Sequence, residues 1–422
     1  MKICKKTALS VFILSLVLGC ILPLTASVSE PNLDAEKSSL VSDHFDGNRY
    51  FNPHASQSPP SPPGQAFRWL WKWVFRTNFS TWPKQTDFLP GAPPVDQASD
   101  SSLFITAVGH GTFLIQMDGV NILTDPIWSE RCSPFSWVGP KRKQEPGIRF
   151  EDLPPIDVAL VSHDHYDHLD LPTLKRLAET GTPRAVVPLG NMSIMERSGI
   201  PSIDELDWWE SVKLNSKITI TLVPAQHFSG RTLWDRNKSL WGGFIISGPS
   251  GNVFYSGDTG YGPHFREIAR RFSPIRVALL PISPFRPSQP GDPTQEYRRI
   301  IHMGPADAVQ AHLDLGTPVS IAAHFQVFQL GFDGFHDAVD ALAASLEEHG
   351  MEPNTFVAPM FGRAINIPLI GDEPLPRAWE THDIWWIPTE SSPMEHGFPK
   401  IAIPLSKTSP EQLYPRSESA MQ

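Results

Sequence analysis

Cysteine is scarce: the 422-residue chain has only Cys4, Cys20 and Cys132. Two of these lie at the very start, so a mature chain stripped of a leader could form no internal disulfide and would depend on its core and on bound ions. Cys132 alone reads as a packed residue. A basic excess is also missing. Lys and Arg number 35 against 45 Asp and Glu, for a formal net charge of −10, and no basic stripe stands out, which argues against a nucleic-acid partner. Long apolar runs are absent too. Ala8 to Leu22 falls short of the ~20 residues of a comfortable membrane span, although it could stretch through Leu24. No short-period repeat is visible. Proline is the opposite case: its 43 residues are roughly twice the ~5% of ordinary chains. They cluster at Pro59 to Pro63 and beyond Pro368, which reads as linker and tail. A hydrophobic content of 40% is enough for one large core.

The N-terminus, Met1-Lys2-Ile3-Cys4-Lys5-Lys6 ahead of Ala8 to Leu22, has the basic-then-apolar layout of a secretory signal over residues 1–26. Export to the periplasm or cell envelope is the expectation. Val17-Leu18-Gly19-Cys20 resembles a lipobox that would leave Cys20 as a lipid anchor, Leu24-Thr25-Ala26 offers an ordinary cleavage site, and an uncleaved anchor is the third reading. Residues 27–100 form a Pro-rich linker that includes the aromatic and basic run Phe67-Arg68-Trp69-Leu70-Trp71-Lys72-Trp73-Val74-Phe75-Arg76. That run suits a membrane interface, docking on the folded body, or both. Residues 101–370 are the expected catalytic domain. Residues 371–422, with the aromatic stretch Trp379 to Trp386, are a tail open to use as lid, dimer contact or strap.

The densest chemistry sits at His163-Asp164-His165-Tyr166-Asp167-His168. Three imidazoles and two carboxylates in one turn have the composition of a metal nest, and packing them in one loop leaves little chain entropy for metal binding to overcome. Further ligands should follow strand-like runs, because metal ligands need rigid placement. The nest itself follows Ile156 to Ser162. Three more apolar, β-branched runs behave the same way: Ile218 to Val223 leads to His227, Val253 to Ser256 to Asp258, and Val319 to Ala323 to His324.

This order, HxHxDH followed by His, Asp and His, resembles the metallo-β-lactamase fold superfamily. The resemblance implies an α/β fold, a four-layer αββα sandwich. It implies two Zn2+ ions, one held by His163, His165 and His227, the other by Asp167, His168 and His324, with Asp258 bridging them. Asp125 in Leu123-Thr124-Asp125-Pro126 matches the superfamily's early strand-end Asp that orients the metal loops. Runs such as Val108-Gly109-His110-Gly111-Thr112, Gly139-Pro140-Lys141-Arg142, Glu205-Leu206-Asp207-Trp208-Trp209-Glu210 and Gly257-Asp258-Thr259-Gly260-Tyr261 are similar to N-acylphosphatidylethanolamine-hydrolysing phospholipase D and its bacterial relatives, from about Phe45 to Ile367. His312, in Pro305 to His312, matches a family histidine near the phosphate side; an isolated helical His is otherwise a packing residue. The chain departs from that pattern at Ser283 to Gly291, at Phe325-Gln326-Val327 and at Gly362-Arg363. These places touch the walls of the site rather than its ligands.

Two divalent cations about 3.5 to 4 Å apart activate a shared water and stabilise an attacked phosphoryl oxygen. Hydrolysis follows, with Asp258 and Asp167 holding the catalytic ions and His312 a candidate on the phosphate side. No Ser or Cys nucleophile is needed. Tyr166 packs or meets substrate, and Lys141 and Arg142 attract a head group or are merely solvated. Three function classes stay open: a phospholipase D acting on a phospholipid at a membrane surface, a lactonase or esterase, and a membrane-tethered binding protein. An oligomer is compatible with all three.

Overall fold

The computed structural model describes residues 42–53, 79–86, 91, 94, 102–181, 183–232, 234–287 and 299–371. The expected leader, the aromatic segment 67–76, residues 288–291 of the departing loop and nearly all of the tail lie outside these residues. Among the described residues, no helix is long and apolar enough to cross a membrane.

Among the described residues, fourteen strands form two seven-stranded sheets. The first runs β14 (Ala364–Asn366), β1 (Leu103–Gly109), β2 (Thr112–Met117), β3 (Val120–Thr124), β4 (Val158–Leu160), β5 (Arg184–Pro188), β6 (Ser202–Leu206). The second runs β13 (Phe356–Val357), β12 (Ser320–Ala323), β11 (Ile275–Pro281), β10 (Gly251–Tyr255), β9 (Gly243–Gly248), β8 (Thr219–Val223), β7 (Ser211–Lys213). Among the described residues, five α-helices flank the sheets: α1 (Leu171–Thr180), α2 (Met192–Met195), α3 (His264–Phe272), α4 (Pro305–Leu315) and α5 (Asp337–Glu348).

The layering follows from side-chain alternation along each strand. Phe113, Ile115 and Met117 of β2, Ile122 of β3, Val158 and Leu160 of β4 and Val186 of β5 point into one core. Their neighbours Leu114, Leu123, Ala159, Ala185 and Val187 point the other way, into a second core with Leu174 and Leu177 of α1. Both faces of the first sheet are therefore buried, one against the second sheet and one under a helix. In the second sheet β11 is buried along its whole length, as a strand covered on both faces must be. Phe265 and Ile268 of α3, Ala308 and Val309 of α4 and Leu342 of α5 join that larger core. The result is the expected αββα sandwich.

Strand direction sets the position of the site. In the second sheet β10, β11 and β12 are parallel, and β8 runs the same way because both β8 and β10 are antiparallel to β9. β3 and β4 are parallel in the first sheet. The loops leaving β8, β10 and β12 thus emerge at one edge of the second sheet, and those leaving β3 and β4 at one edge of the first.

Candidate metal centre

Each strand-end loop delivers polar side chains, and they converge. His163, His165 and Asp167 follow β4, His227 follows β8, Asp258 follows β10 and His324 follows β12. In one cluster His163 Nε2 lies 2.8 Å from His165 Nδ1, and His227 Nε2 lies 3.2 Å from the same atom. Asp167 Oδ2 centres the other, 3.3 Å from His168 Nε2, 3.4 Å from His324 Nε2 and 2.9 Å from His110 Nε2. Asp258 stands between them. Its Oδ1 is 3.4 Å from His168 Nε2, while its Oδ2 is 3.2 Å from His324 Nε2 and 3.7 Å from His227 Nε2.

These donors suit cations better than one another. His168 Nε2, His324 Nε2 and Asp258 Oδ1 are buried with no hydrogen-bond partner, an expensive arrangement unless something else satisfies them. Four His and Asp groupings here, among them His163, His165 and His227, and His110, Asp167, His168 and His324, have ligand atoms within 4.8 Å of one another. Imidazole nitrogens mixed with carboxylate oxygens fit Zn2+ or a similar divalent transition metal.

The electrostatics point the same way. Burial, reinforced by neighbouring imidazoles, lowers His165 to about 3 and holds His163 well below its ordinary value. Burial also lowers His227 to about 4, against the pull of Asp258. Their lone pairs are free for a cation at neutral pH. His324 and His168 go the other way. Burial opposes their charge, but Asp258 and Asp167 outweigh it, raising His324 to about 9 and His168 well above its usual value. Asp167 and Asp258, despite burial, are held well below the normal carboxylate range, with His168 and His324 the leading causes respectively. Protons on His168 and His324 thus occupy the place a cation would take.

Asp125, fully buried, anchors this arrangement. Its carboxylate accepts from Ser162 N at 2.7 Å, Ser162 Oγ at 2.6 Å, His168 Nδ1 at 2.6 Å and Tyr255 OH at 2.5 Å. Holding His168 by Nδ1 turns Nε2 toward Asp167 and Asp258. Backbone strain gathers here as well: Asp125, His110 and His324 have φ of 35°, 58° and 61°. Gly111 is required where it stands, because a Cβ there would lie 2.7 Å from the Tyr255 hydroxyl and 3.3 Å from the His168 ring.

The structure brings His163, His165, Asp167, His168, His227, Asp258 and His324 together, and it leaves His312 apart. The His312 side chain bonds Ser320 Oγ at 2.8 Å, its ring stacks on Phe356, and burial lowers it to about 4. It belongs to none of the metal-competent groupings. Tyr166 lies under the Arg231 guanidinium, 3.8 Å from its ring centroid. Arg142 is neither solvated nor free for a head group: it is buried and donates to Ile127 O at 2.7 Å and Ser129 O at 3.4 Å. Lys141 pairs with Glu130 at 2.6 Å. Cys132 is packed, as expected.

His302 joins the centre although nothing in the sequence singled it out. Its Nδ1 lies 3.7 Å from Asp258 Oδ2 and its side chain is 16% exposed. The segment is clamped by tertiary contacts, with His227 Nδ1 donating to Ile301 O at 2.8 Å and Met303 N to Thr259 O at 2.9 Å. The only local signal was the apolar pair Ile300-Ile301 before the histidine, far too short to read as a strand. His110 was noted only as one group within its Gly-rich motif, and its contact with Asp167 spans 57 residues.

Residues 120–325 match the model of the "Beta-lactamase superfamily domain". An uncharacterized protein of Mycobacterium tuberculosis is 36% identical over 280 residues, 65% of this chain and 72% of that one. The N-acyl-phosphatidylethanolamine-hydrolyzing phospholipase D 1 of Caenorhabditis elegans is 36% identical over 279 residues, 62% of this chain and 76% of that one. Among solved structures, a "possible metal-dependent hydrolase" from Veillonella parvula aligns with a TM-score of 0.50 at 17% identity, covering 63% of this chain and 99% of that one, which shows the shared fold.

Proposed function

Because the chain belongs to the β-lactamase superfamily and is a metal-dependent hydrolase of that fold, we propose that it cleaves the phosphodiester of N-acylphosphatidylethanolamine or a related phospholipid, in the manner of a phospholipase D. The observation that carries this reading is Asp258, whose Oδ2 lies between the two donor clusters, 3.2 Å from His324 Nε2 and 3.7 Å from His227 Nε2, while its Oδ1 faces His168. The 36% identity to the nematode protein, whose name states that activity, supports the choice of substrate.

Two divalent cations, held by His163, His165 and His227 on one side and Asp167, His168 and His324 on the other, would supply an activated water and charge stabilisation at the phosphoryl oxygen. The chain's own groups do the rest. Asp258 stays ionised at neutral pH and can orient the attacking water through its two oxygens. Asp125, through His168, and His110, through Asp167, hold the donors in place. His302, reachable by solvent beside Asp258, is placed to carry a proton to the departing alkoxide. In balance, water oxygen bonds phosphorus, the bond from phosphorus to the N-acylethanolamine oxygen breaks, and a proton moves to that oxygen.

The test offers metal-loaded protein three substrates in detergent: an N-acylated phosphatidylethanolamine, an acyl lactone and a simple phosphodiester. Release of N-acylethanolamine together with phosphatidate supports the reading. Lactone opening without phospholipid cleavage would replace it with an esterase.

A further inference from the structure

Among the described residues, Phe135 and Trp137 place two exposed large apolar side chains on one loop tip. Pro134, Phe135, Ser136 and Trp137 are all exposed, with Phe135 54% and Trp137 70% accessible, and their rings lie 5.7 Å apart. The two rings touch each other over the tip while staying largely in water. Below the tip the loop is firmly built: Arg131 and Lys141 bridge as antiparallel partners, Arg131 Nη1 donates to Gly139 O at 2.6 Å, and Cys132 is buried. From Glu130 to Glu145 the chain carries Arg131, Lys141, Arg142 and Lys143 against Glu130 and Glu145, a local excess of two positive charges in a protein of net charge −10.

The base of the loop meets the metal centre. Lys143 N donates to Val327 O at 2.9 Å, and the Arg142 guanidinium sits 4.9 Å from the Phe328 ring centroid. Phe328 packs edge-on against His110, which holds Asp167. An aromatic tip on a basic stem beside a catalytic centre matches what inserts at a headgroup boundary. Trp and Phe rings settle at that depth, and the net positive charge of the stem favours anionic phosphate although Arg142 is buried and Lys141 pairs with Glu130. A stable protein interface would need about 800 Å2 on each partner, more than two rings on a four-residue tip present.

We propose that the Arg131 to Lys141 loop docks the protein on an anionic lipid bilayer, with Phe135 and Trp137 entering the interface next to the metal centre. The proposal rests on the phospholipid reading for its purpose, but its test does not need turnover. Full-length protein and a Phe135→Ser/Trp137→Ser variant are co-sedimented with vesicles of phosphatidylcholine containing about 30% phosphatidylglycerol and no N-acylated lipid. The variant should bind about tenfold more weakly while its rate on a soluble phosphodiester stays unchanged. In parallel, brominated lipids should quench Trp fluorescence less in Trp137→Phe than in wild type. Equal sedimentation and equal quenching would overturn the proposal. So would a variant that converts a dimer to monomer in sedimentation velocity without losing vesicle binding, since the tip would then meet a second copy. Failure to cleave N-acylated lipid in detergent would strike the substrate reading alone.

Discussion

Asp125→Asn removes one charge from the most heavily hydrogen-bonded carboxylate of the centre while keeping its volume. Asp125 is an acceptor for Ser162 N, Ser162 Oγ, His168 Nδ1 and Tyr255 OH, all at 2.5 to 2.7 Å. An asparagine can still accept from Ser162 N, but its amide then faces His168 Nδ1, Ser162 Oγ and Tyr255 OH with N–H groups. His168 Nδ1 must become the acceptor, so the ring proton moves to Nε2, the atom that faces Asp167 and Asp258. That nitrogen can no longer hold a cation. Removing such an orienting partner typically costs 10- to 100-fold in metal affinity or activity, or about 1.4 to 2.7 kcal/mol. The loss should fall on the Asp167, His168 and His324 cluster and spare His163, His165 and His227. Competitive titration with a chromophoric chelator, alongside metal analysis of the dialysed protein, reads both affinities. The reasoning is refuted if the variant binds both equivalents with wild-type affinity, or if the His163 cluster is the one weakened.

Asp258→Asn should abolish hydrolysis with the circular dichroism spectrum unchanged; a wild-type rate would remove it from the position between the two clusters. Apparent metal affinity should rise with pH up to about 9, because a cation must displace the protons on His324 and His168. The slope is about tenfold per unit for each proton displaced, and His165 and His227, lowered to about 3 and 4, add nothing above pH 5. Isothermal titration between pH 6 and 9 in buffers of different ionisation heat measures the affinity and the protons released, and a flat profile contradicts the assignment. Gly111→Ala should push the Tyr255 hydroxyl from Asp125, since the added carbon would lie 2.7 Å from it. Thermal melting should show a loss of about 1 to 3 kcal/mol, and an unchanged midpoint would mean that the loop relaxes freely.

Much of this centre was legible before any coordinates. The runs ending before His163, His227, Asp258 and His324 are strands β4, β8, β10 and β12, because β-branched apolar sequence closing on a polar residue leaves few alternatives at a sheet edge. Adjacent apolar residues such as Ile122-Leu123 and Ala159-Leu160 divide between the two cores, as strands covered on both faces do. His302 escaped notice because its position comes from bonds to ligand loops 74 and 44 residues away in sequence, which no local pattern encodes. His312 shows the reverse. Its helix was readable, yet only packing reveals that its ring is engaged by Ser320 and Phe356. Arg142 likewise looked like a surface charge until the loop folded back and supplied carbonyls from Ile127 and Ser129.

The decisive measurement is the divalent metal content of the purified, folded protein, followed by its thermal midpoint after chelation and after adding metal back. About two equivalents per chain, with a midpoint that falls on removal and recovers on return, are expected from paired His and Asp clusters sharing one carboxylate. Folded protein that holds no transition metal, and whose midpoint and turnover ignore added Zn2+, would contradict the metal centre itself.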